Sequence, residues 1–542
     1  MRSGLIRETA RFDYIVVGAG SAGAVVANRL SEDPSVSVCL LEAGPPDNSP
    51  YIHVPTGIIK LPYHAKFNWR YNSVPQAGFN NRPIFTPRGK AVGGTSAINA
   101  MVHMRGNQLD YDDWAKQGNP GWACADVRPC FVKSENNEQY GGTQYHGRGG
   151  PLNVTFPNIA SPLEKDFLAA CKQLGHRHNE DFNGESQDGM GRHQVTQKNG
   201  RRWSTATAYV WPAARRPNFT LMTDSPVARV ILEGRSAVGI ELVGGRRLDA
   251  RREVIVSAGA IVSPKLLQLS GIGDPADLQP HGIKVVHALR GVGRNLQDHA
   301  AGGILMRTES RIPWGFSWPK APSLALHALR YLIDRKGFFA AQLIESGGFL
   351  RTDPELDRPD IQIVFIPGHR APPPKMVEVG HGYSCFAVLL RPKSRGTVAI
   401  ASNDPLAAPI IDPRFFSEEI DLDVLIKGVK ECRRIVHCDV FKKYRPKETG
   451  PGQAVQTDDQ LKQWVRNTGG TIFHPVGTCR MGPDEMAVVD ARLRVRGLQR
   501  LRVVDASIMP TITGGNTNAP SIMIGEKASD MIKEDARAGV GP

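Results

Sequence analysis

The chain has 542 residues, more than one hydrophobic core usually organises, so we expect two large domains. Its composition, 41% hydrophobic and 22% charged, is that of an ordinary globular protein. No apolar run approaches the roughly 18 residues that a membrane-spanning helix needs, and Met1–Arg11 lacks the apolar stretch of a secretory signal. These properties argue against an integral membrane segment and favour a cytoplasmic enzyme.

The net charge of +14 could indicate binding to nucleic acid or to an anionic surface. The basic residues are spread along the chain, however, with clusters no denser than pairs and without a nucleic-acid-binding motif. We therefore expect a generally cationic surface and no nucleic-acid partner. The eight cysteines are scattered without a Cys-x-x-Cys pair, so we predict neither a metal site nor a disulfide framework.

The N-terminal region has the pattern of a β-α-β unit. Phe12–Val17 is a β-branched apolar run, Ala22–Leu30 has helical composition, and Ser35–Leu41 returns as a second strand ending at Glu42. A glycine-rich turn joins the first strand to the helix. This is the setting that a dinucleotide-binding fingerprint requires.

The turn contains Gly18, Gly20 and Gly23 in Gly-x-Gly-x-x-Gly spacing. Gly18 allows the tight turn, Gly20 lets the backbone approach a pyrophosphate at the helix N-terminus, and Gly23 permits close helix–strand packing. Glu42 is placed to accept hydrogen bonds from a ribose. A bare fingerprint is often only a tight turn, and Glu42 alone could be a surface acid, but together they favour nucleotide binding.

A proline-rich, aromatic stretch, Pro50–Pro87, follows and predicts a long surface excursion that forms a lid or a dimer contact. It leads to Gly93 and Gly94, which precede Thr95 and Ser96. The backbone amides of such a loop can face an anion or a ring edge. A plain glycine turn that opens a helix explains the same residues equally well, so both alternatives stay open.

The next elements are strands at Val227–Leu242 and Arg252–Ser257, joined by a Gly244–Gly245 turn. A helix is then predicted to begin with Ser263 as its cap and Pro264 at its first position. This junction suits a second loop facing the phosphates or the ribityl chain of a cofactor. An ordinary capped helix packed on the sheet is the alternative.

The sequence pattern changes after Leu305. Ser323–Lys336 is predicted as a helix that ends at Gly337, with an apolar stripe formed by Leu324, Ala328, Tyr331 and Leu332. Three later segments predict an antiparallel sheet of a substrate domain: Ile361–Ile366, Cys385–Leu390 and Thr397–Ile400. Leu501–Asp505 then returns to the first domain as a buried strand.

Taken together, these segments resemble the glucose–methanol–choline (GMC) family of flavin oxidoreductases, and the closest likeness is to its bacterial alcohol, choline and sorbose dehydrogenase branch. The resemblance covers nearly the whole chain. Besides the two glycine loops, it rests on the motifs at Gly259–Gly273, Gly291–His299, His474–Gly482 and Val504–Lys527.

The resemblance implies an α/β fold, with a Rossmann-like FAD-binding domain and a second α+β substrate domain built on an antiparallel sheet. We expect the FAD-binding domain over 1–160, with 50–87 as its lid-like excursion. It continues over 161–305 with some substrate-domain segments and returns over 481–542. The substrate-binding domain is expected over 306–480.

The resemblance implies a catalytic pair of His474 and Asn518. A neutral imidazole can remove the proton of an alcohol, and an amide NH₂ can donate a hydrogen bond to the forming alkoxide. A lone His-Pro is most often a turn with a surface or core histidine, so the assignment depends on the flavin motifs. His299 is a weaker candidate that more naturally buttresses structure, and Glu345 is equally a cavity carboxylate or a structural one.

The resemblance also implies the residues that contact the cofactor. They are Gly18, Gly20, Ser21, Ala22, Gly23, Glu42, Val92, Gly93, Gly94, Thr95, Asn99, Ala100, Val227, Asp505, Ala506, Asn516 and Thr517. Some relatives tether FAD through a histidine in the glycine-pair loop, where this chain has Ile98. We therefore predict noncovalent FAD. His103 is a second, minor departure from the family pattern.

The function implied is oxidation of an alcohol to an aldehyde or ketone, by proton abstraction and hydride transfer to flavin N5. Electrons then pass to a non-oxygen acceptor such as a quinone, a dye-like molecule or a redox protein. The alternatives are an oxidase that uses O₂ and forms hydrogen peroxide, a redox-silent hydroxynitrile lyase, and a non-catalytic flavin-binding protein. A homodimer is a further expectation.

Overall fold

A computed structural model describes residues 9–157, 161–369 and 379–539. Most of the N-terminal segment Met1–Arg11, in which no secretory signal is expected, lies outside these residues. Within the described ranges, we find no helix that combines the length and the apolar character needed to cross a membrane.

Two large sheets organise the chain. Their strands, in chain order, are β1 (Thr9–Val17), β2 (Val38–Leu41), β3 (Gly189–Arg192), β4 (Phe219–Met222), β5 (Val227–Glu233), β6 (Ser236–Leu242), β7 (Arg247–Val256), β8 (Ala300–Thr308), β9 (Gly315–Phe316), β10 (Ser346–Leu350), β11 (Ile361–Ile366), β12 (Gly380–Leu389), β13 (Lys447–Gly450), β14 (Gly470–Thr471) and β15 (Leu501–Val503).

The α-helices are α1 (Ser21–Leu30), α2 (Pro50–His53), α3 (Gln108–Lys116), α4 (Cys124–Ser134), α5 (Pro162–Gln173), α6 (Trp211–Ala213), α7 (Gly259–Leu269), α8 (Pro275–Leu278), α9 (Ala321–Asp334), α10 (Glu419–Val436), α11 (Asp458–Thr468) and α12 (Asn518–Arg537).

The first sheet has the order β4-β2-β1-β7-β6-β5, and β15 pairs with β7. Strands β4, β2, β1, β7 and β15 are parallel, whereas β5 and β6 add antiparallel pairs at one edge. Their inner residues, such as Ile15, Val16 and Leu40, are completely buried, as expected for parallel strands covered on both faces. This arrangement confirms the predicted Rossmann-like domain.

The second sheet has the order β13-β8-β12-β11-β10-β3, with β9 on β12 and β14 on β8. All its pairs are antiparallel. Helices α10 and α5 cover it through the buried residues Leu425, Val429 and Phe167. The predicted antiparallel substrate sheet is therefore confirmed for Ile361–Ile366 and Cys385–Leu390, and segments from 189–192 and 300–308 already belong to it. The third predicted strand is wrong for this sheet, because Thr397–Ala399 pairs with Ile410–Asp412 in a separate two-stranded sheet. The exact domain boundaries stay predictions.

The β-α-β unit forms as predicted, although its second strand begins at Val38 rather than Ser35. Gly23 is needed for the contact between helix and strand. A Cβ atom there would lie 2.0 Å from the carbonyl oxygen of Gly18 and 2.9 Å from the Cβ of Ser257. Any side chain would therefore push α1 away from the sheet.

The helix after β7 begins earlier than predicted. It starts at Gly259, so Ser263 is not its cap and Pro264 lies inside it. Proline cannot donate to the carbonyl of Ala260, and the hydroxyl of Thr478 donates to that carbonyl instead, at 2.6 Å. A partner that is distant in sequence thus makes an internal proline acceptable, which the local Ser-Pro signal could not show.

Two further predictions need correction. Val227–Leu242 is not one strand but the hairpin β5–β6, which turns at Gly234. Helix α9 forms over Ala321–Asp334, and Leu332 does not share the inner stripe because its side chain is 70% exposed. The apolar pattern of this helix does not match a single buried face.

Candidate cofactor cavity and active site

A cavity of about 1020 Å³ is lined by residues of both sheets. Gly18, Gly20 and Glu42 lie on its lining from the side of the first sheet, and Gln362, Val364 and Phe386 from the second. His474 also lies on the lining. The cavity therefore joins the predicted nucleotide-binding region to the predicted catalytic histidine.

The two glycine loops touch each other at the nucleotide end. A Cβ atom on Gly94 would lie 2.6 Å from the Cα of Gly20, and Gly94 has a positive φ of +52°. Gly94 and Thr95 line the cavity and also open a short 3₁₀ turn that runs to Ala97. The loop is therefore a short turn that also faces the cavity, and contact of its backbone amides with a cofactor stays a prediction.

Glu42 ends β2 and is almost fully buried. One carboxylate oxygen accepts from the backbone N–H of Ala19 at 3.1 Å, and the other from that of Gly44 at 2.9 Å. Burial raises the pKa of Glu42 to about 7, against the lowering effect of these donors. Hydroxyl donors from a ribose would stabilise the charged carboxylate further.

Most of the other predicted cofactor residues lie on the cavity lining. These are Gly18, Gly20, Ser21, Ala22, Glu42, Gly94, Thr95, Asn99, Ala100, Val227, Asp505, Ala506, Asn516 and Thr517. Gly23, Val92 and Gly93 are not among its lining residues. The backbone N–H of Gly93 donates to the carbonyl oxygen of Ala19 at 2.8 Å and so links the two glycine loops.

His474 is buried at the other end of the cavity. Its Nδ1 lies 3.0 Å from Nδ1 of His299, and its Nε2 lies 3.1 Å from Nδ2 of Asn516. Oδ1 of Asp298 accepts from the backbone N–H groups of both His474 and His299, at 2.7 and 2.8 Å. One buried carboxylate thus fixes the two chain segments that carry the imidazoles.

The residue before His474 helps to orient it. Phe473 has a positive φ of 71°, which is unusual for an aromatic residue. A guanidinium N–H of the half-buried Arg88 donates to its carbonyl oxygen at 2.6 Å and supports this conformation. Backbone strain at an active-site residue persists only where its surroundings support it.

The structure brings Asn516, rather than Asn518, to His474. Asn518 is the first residue of α12, and its Oδ1 accepts from the hydroxyl of Ser21 at 2.7 Å, next to the glycine fingerprint. The prediction placed Asn516 with the cofactor and Asn518 with the histidine. Two residues apart at a helix start, the side chains point in different directions, and this divergence is invisible in an Asn-Thr-Asn sequence.

The hydrogen-bond partners of His474 favour one tautomer of its ring. With the amide nitrogen of Asn516 assigned as the atom that faces the ring, Nε2 of His474 accepts and carries no proton. The ring proton is then on Nδ1 and is donated to Nδ1 of His299. Burial, followed by the effects of His299 and Arg88, holds the pKa of His474 well below its usual value. His474 is therefore a neutral base.

Asn516 also has a side-chain oxygen to which a bound ligand could donate a hydrogen bond. Its Oδ1 is buried and has no hydrogen-bond partner among the described residues. Buried polar atoms are rarely left unpaired. Together with the glycine cradle and the open cavity, this atom fits a site built around a bound cofactor and a polar substrate.

His299 contacts His474 directly, which the sequence did not predict. Its ring packs edge-on against His474 with centroids 5.2 Å apart, and burial lowers its pKa to about 3. It buttresses the base, as the sequence suggested, but does so by direct hydrogen bonding. Glu345 is not among the described residues that line the cavity, and its carboxylate accepts from the backbone of Ser161 at 2.7 Å. Its structural alternative therefore agrees with the contacts.

The fold and the cavity are those of a dinucleotide-binding protein, and comparisons with known proteins identify its family. Models of the GMC oxidoreductase family match residues 12–301 and 392–525. The chain is 44% identical to an alcohol dehydrogenase [acceptor] of Pseudomonas putida, over 96% of this chain and 95% of that protein. It is 42% identical to an oxygen-dependent choline dehydrogenase of Brucella ovis, with the same coverage of both chains.

Solved structures agree. Pyridoxine 4-oxidase from Mesorbium loti superposes with a TM-score of 0.88 at 32% identity, covering 96% of this chain and 99% of that one. A formate oxidase from Aspergillus oryzae RIB40 superposes with a TM-score of 0.90 at 27% identity, covering 98% and 99%. The chain belongs to the GMC oxidoreductase family. It is an FAD-dependent oxidoreductase that acts on alcohols.

Proposed function

We propose that His474 and Asn516 form the catalytic pair of an alcohol dehydrogenase that passes its electrons to a non-oxygen acceptor. The observation that carries the proposal is the meeting of two side chains on the cavity lining, where Nε2 of His474 lies 3.1 Å from the amide nitrogen of Asn516. The P. putida relative, which is named as acceptor-dependent, supports the choice of electron acceptor.

The two side chains divide the work on the substrate hydroxyl. His474 takes the hydroxyl proton on Nε2, because that ring nitrogen carries the lone pair, which accepts from Asn516 when no substrate hydroxyl is bound. The NH₂ group of Asn516 donates to the oxygen as negative charge develops there. His299 holds the imidazole in place through Nδ1. FAD supplies the hydride-accepting chemistry, which no side chain of the protein can provide.

Residues of the first domain, around the edge of its sheet, would hold the FAD. The N-terminus of α1, at Gly20 and Ser21, would face the pyrophosphate with its free backbone N–H groups. Glu42 would accept from the ribose. The contact between Gly20 and Gly94 leaves no side chain between the two loops, which lets the backbone approach a ligand closely.

The FAD is proposed to be noncovalent. Ile98 is almost completely buried and packs with Ile52, Leu61 and Phe67 beside the cavity. Its hydrocarbon side chain cannot form a bond to a flavin. Acid denaturation followed by filtration should leave all flavin absorbance in the filtrate, whereas flavin that stays with the precipitated protein would contradict the proposal.

The electron acceptor can be tested directly. The flavin is first bleached with an alcohol under anaerobic conditions, and its reoxidation is then followed with air, with a quinone and with a dye. Faster reoxidation by the quinone or dye supports a dehydrogenase, and faster reoxidation by air supports an oxidase. No bleaching by any alcohol, choline included, would overturn the assignment and favour a redox-silent role.

The cytoplasmic location and the homodimer expected from the sequence remain proposals. Cell fractionation and sedimentation velocity would test them.

A further inference from the structure

The outer face of α9 exposes an unusual number of large apolar side chains. Leu326, Leu329, Leu332 and Ile333 are 66%, 54%, 70% and 75% exposed. Just before the helix, Trp318 is 90% exposed. We call these five residues the α9 patch. A concentration of apolar side chains in water is typical of an interaction site, unlike single exposed residues.

The inner face of the same helix already supplies its packing. Tyr331 is buried, and its hydroxyl donates to the carbonyl oxygen of Gly200 at 3.1 Å. Leu324 and Ala328 lie on the same side and are only partly exposed. The helix is thus anchored by one face, and the apolar residues on its other face contribute nothing to the core. Packing within the fold therefore does not explain why these outer residues are apolar.

The surroundings of the α9 patch are cationic. Between residues 309 and 338 the chain carries five Lys and Arg residues against two acids, within a protein of net charge +14. The basic residues are Arg311, Lys320, Arg330, Arg335 and Lys336. Arg330 lies 3.7 Å from Asp334, and the segment keeps an excess of positive charge. Apolar side chains flanked in sequence by Lys and Arg are the pattern of helices that lie in the interface of an anionic membrane.

We propose that the α9 patch docks onto the surface of an anionic lipid bilayer. Tryptophan is favoured at the boundary between headgroups and acyl chains, and Trp318 stands at the start of the helix. The leucine and isoleucine side chains enter the outer acyl region while the cations contact lipid phosphates. A second copy of this chain is a poorer occupant, because two patches placed face to face would bring like charges together.

The α9 patch borders the wall of the cavity. Phe316, two residues before Trp318, lines the cavity and is 38% exposed. Trp314 and Phe338 also line it and pack edge to face, with ring centroids 5.4 Å apart. Helix α9 directly precedes the turn that carries Phe338. Docking of the patch therefore places this side of the cavity at the membrane interface.

The test is flotation of the FAD-loaded protein with vesicles of phosphatidylcholine alone and of phosphatidylcholine with phosphatidylglycerol. We expect binding to the anionic vesicles and weaker binding to the neutral ones. The double variant Leu329→Glu/Ile333→Glu should weaken binding by about tenfold or more, since two apolar side chains become charged. Trp318→Ala, at a position with almost no packing, should also weaken it.

The matched control is Ile410→Glu/Ile420→Glu. It introduces the same charge at two isoleucines that are 42% and 53% exposed but lie outside α9. It should bind vesicles better than the Leu329→Glu/Ile333→Glu variant. The flavin spectrum and the melting temperature of every variant establish that it is folded.

The proposal is overturned if the wild-type protein does not float with anionic vesicles, or if both double variants lose binding equally. It is also overturned if sedimentation velocity without lipid shows a dimer that only the Leu329→Glu/Ile333→Glu variant dissociates, since the patch is then a contact between copies. Flotation requires no turnover, so its outcome is independent of the proposed catalytic pair.

Discussion

The two ends of the cavity are built in different ways. At the nucleotide end, the fingerprint and Glu42 come from one continuous β-α-β unit. At the catalytic end, His474 meets a histidine 175 residues away in sequence and an asparagine 42 residues away. A cofactor cradle can therefore be recognised from local spacing, whereas a catalytic pair depends on where separate segments converge.

Burial favours the neutral form of the titratable group at each end of the cavity, but the consequence differs between the two ends. Burial raises the pKa of Glu42 and lowers that of His474, so both groups are pushed towards their neutral forms. Glu42 accepts hydrogen bonds best in its charged form, and donors from the ribose would offset the cost of burying that charge. For His474 the neutral form is the one that removes a proton. The same desolvation thus prepares one end for binding and the other for chemistry.

The largest effect is expected when the base, His474, is removed. His474→Ala should slow anaerobic flavin reduction by an alcohol by roughly 10²–10⁴-fold, the usual scale of general base catalysis. FAD should stay bound, because the glycine loops are untouched. Stopped-flow absorbance measures both. The control is His437→Ala, which removes a histidine that is 42% exposed and is not among the cavity-lining residues. An unimpaired rate in His474→Ala would reject the mechanism.

The two asparagines offer a sharper test. Asn516→Ala should lower the rate of flavin reduction by roughly 10²–10³-fold, as expected for losing a donor to a developing oxyanion. Asn518→Ala should leave that rate nearly unchanged and should instead weaken FAD binding, because Ser21 loses its partner. Measuring the reduction rate and the FAD dissociation constant of each variant separates the roles. The reverse result would restore the pairing with Asn518.

Gly94, at the nucleotide end, can be tested against Gly234, a control glycine in the β5–β6 turn. Gly94→Ala and Gly234→Ala both place a side chain at positive φ, +52° and +59°, at a cost of about 1–3 kcal/mol each in unfolding free energy. Only the Gly94 variant meets another loop, that of Gly20. Flavin content, from the visible-to-ultraviolet absorbance ratio, should fall in Gly94→Ala alone. Equal loss in both variants would contradict the cradle.

The smallest expected effect is in the pH profile. Because the pKa of His474 is held well below its usual value, kcat/KM should not decline as pH falls from 8 to about 6.5. The unfolded chain does bind a proton near that pH, so the contribution of His474 to stability is lost at lower pH. Over this range the melting temperature of the wild-type protein should therefore fall relative to that of His474→Ala, in which the other titrating groups are the same. A decline in kcat/KM centred on the ordinary histidine pKa would contradict this.

Much of the fold could be predicted because its signals are local. The strand before Gly18, the helix after it and the strand that ends at Glu42 each follow from periodicity and composition over a few residues. The start of α7 could not be predicted in the same way. Its internal Pro264 is tolerated only because Thr478 supplies the missing donor, from a segment more than 200 residues later.

Exposure was equally hidden from the sequence. Helix α9 has the periodicity of a packed helix, yet its outer leucines face solvent while Tyr331 alone is fully buried. A hydrophobic pattern shows that a face is apolar but not what covers it.

The sequence by itself determined the class of protein, because glycine spacing and strand composition constrain the backbone locally around a nucleotide. Only the tertiary structure decided which amide stands beside His474, since the directions of Asn516 and Asn518 depend on the start of α12. It also decided that His474 is a neutral base, because desolvation and the contact with His299 arise only when distant segments pack together.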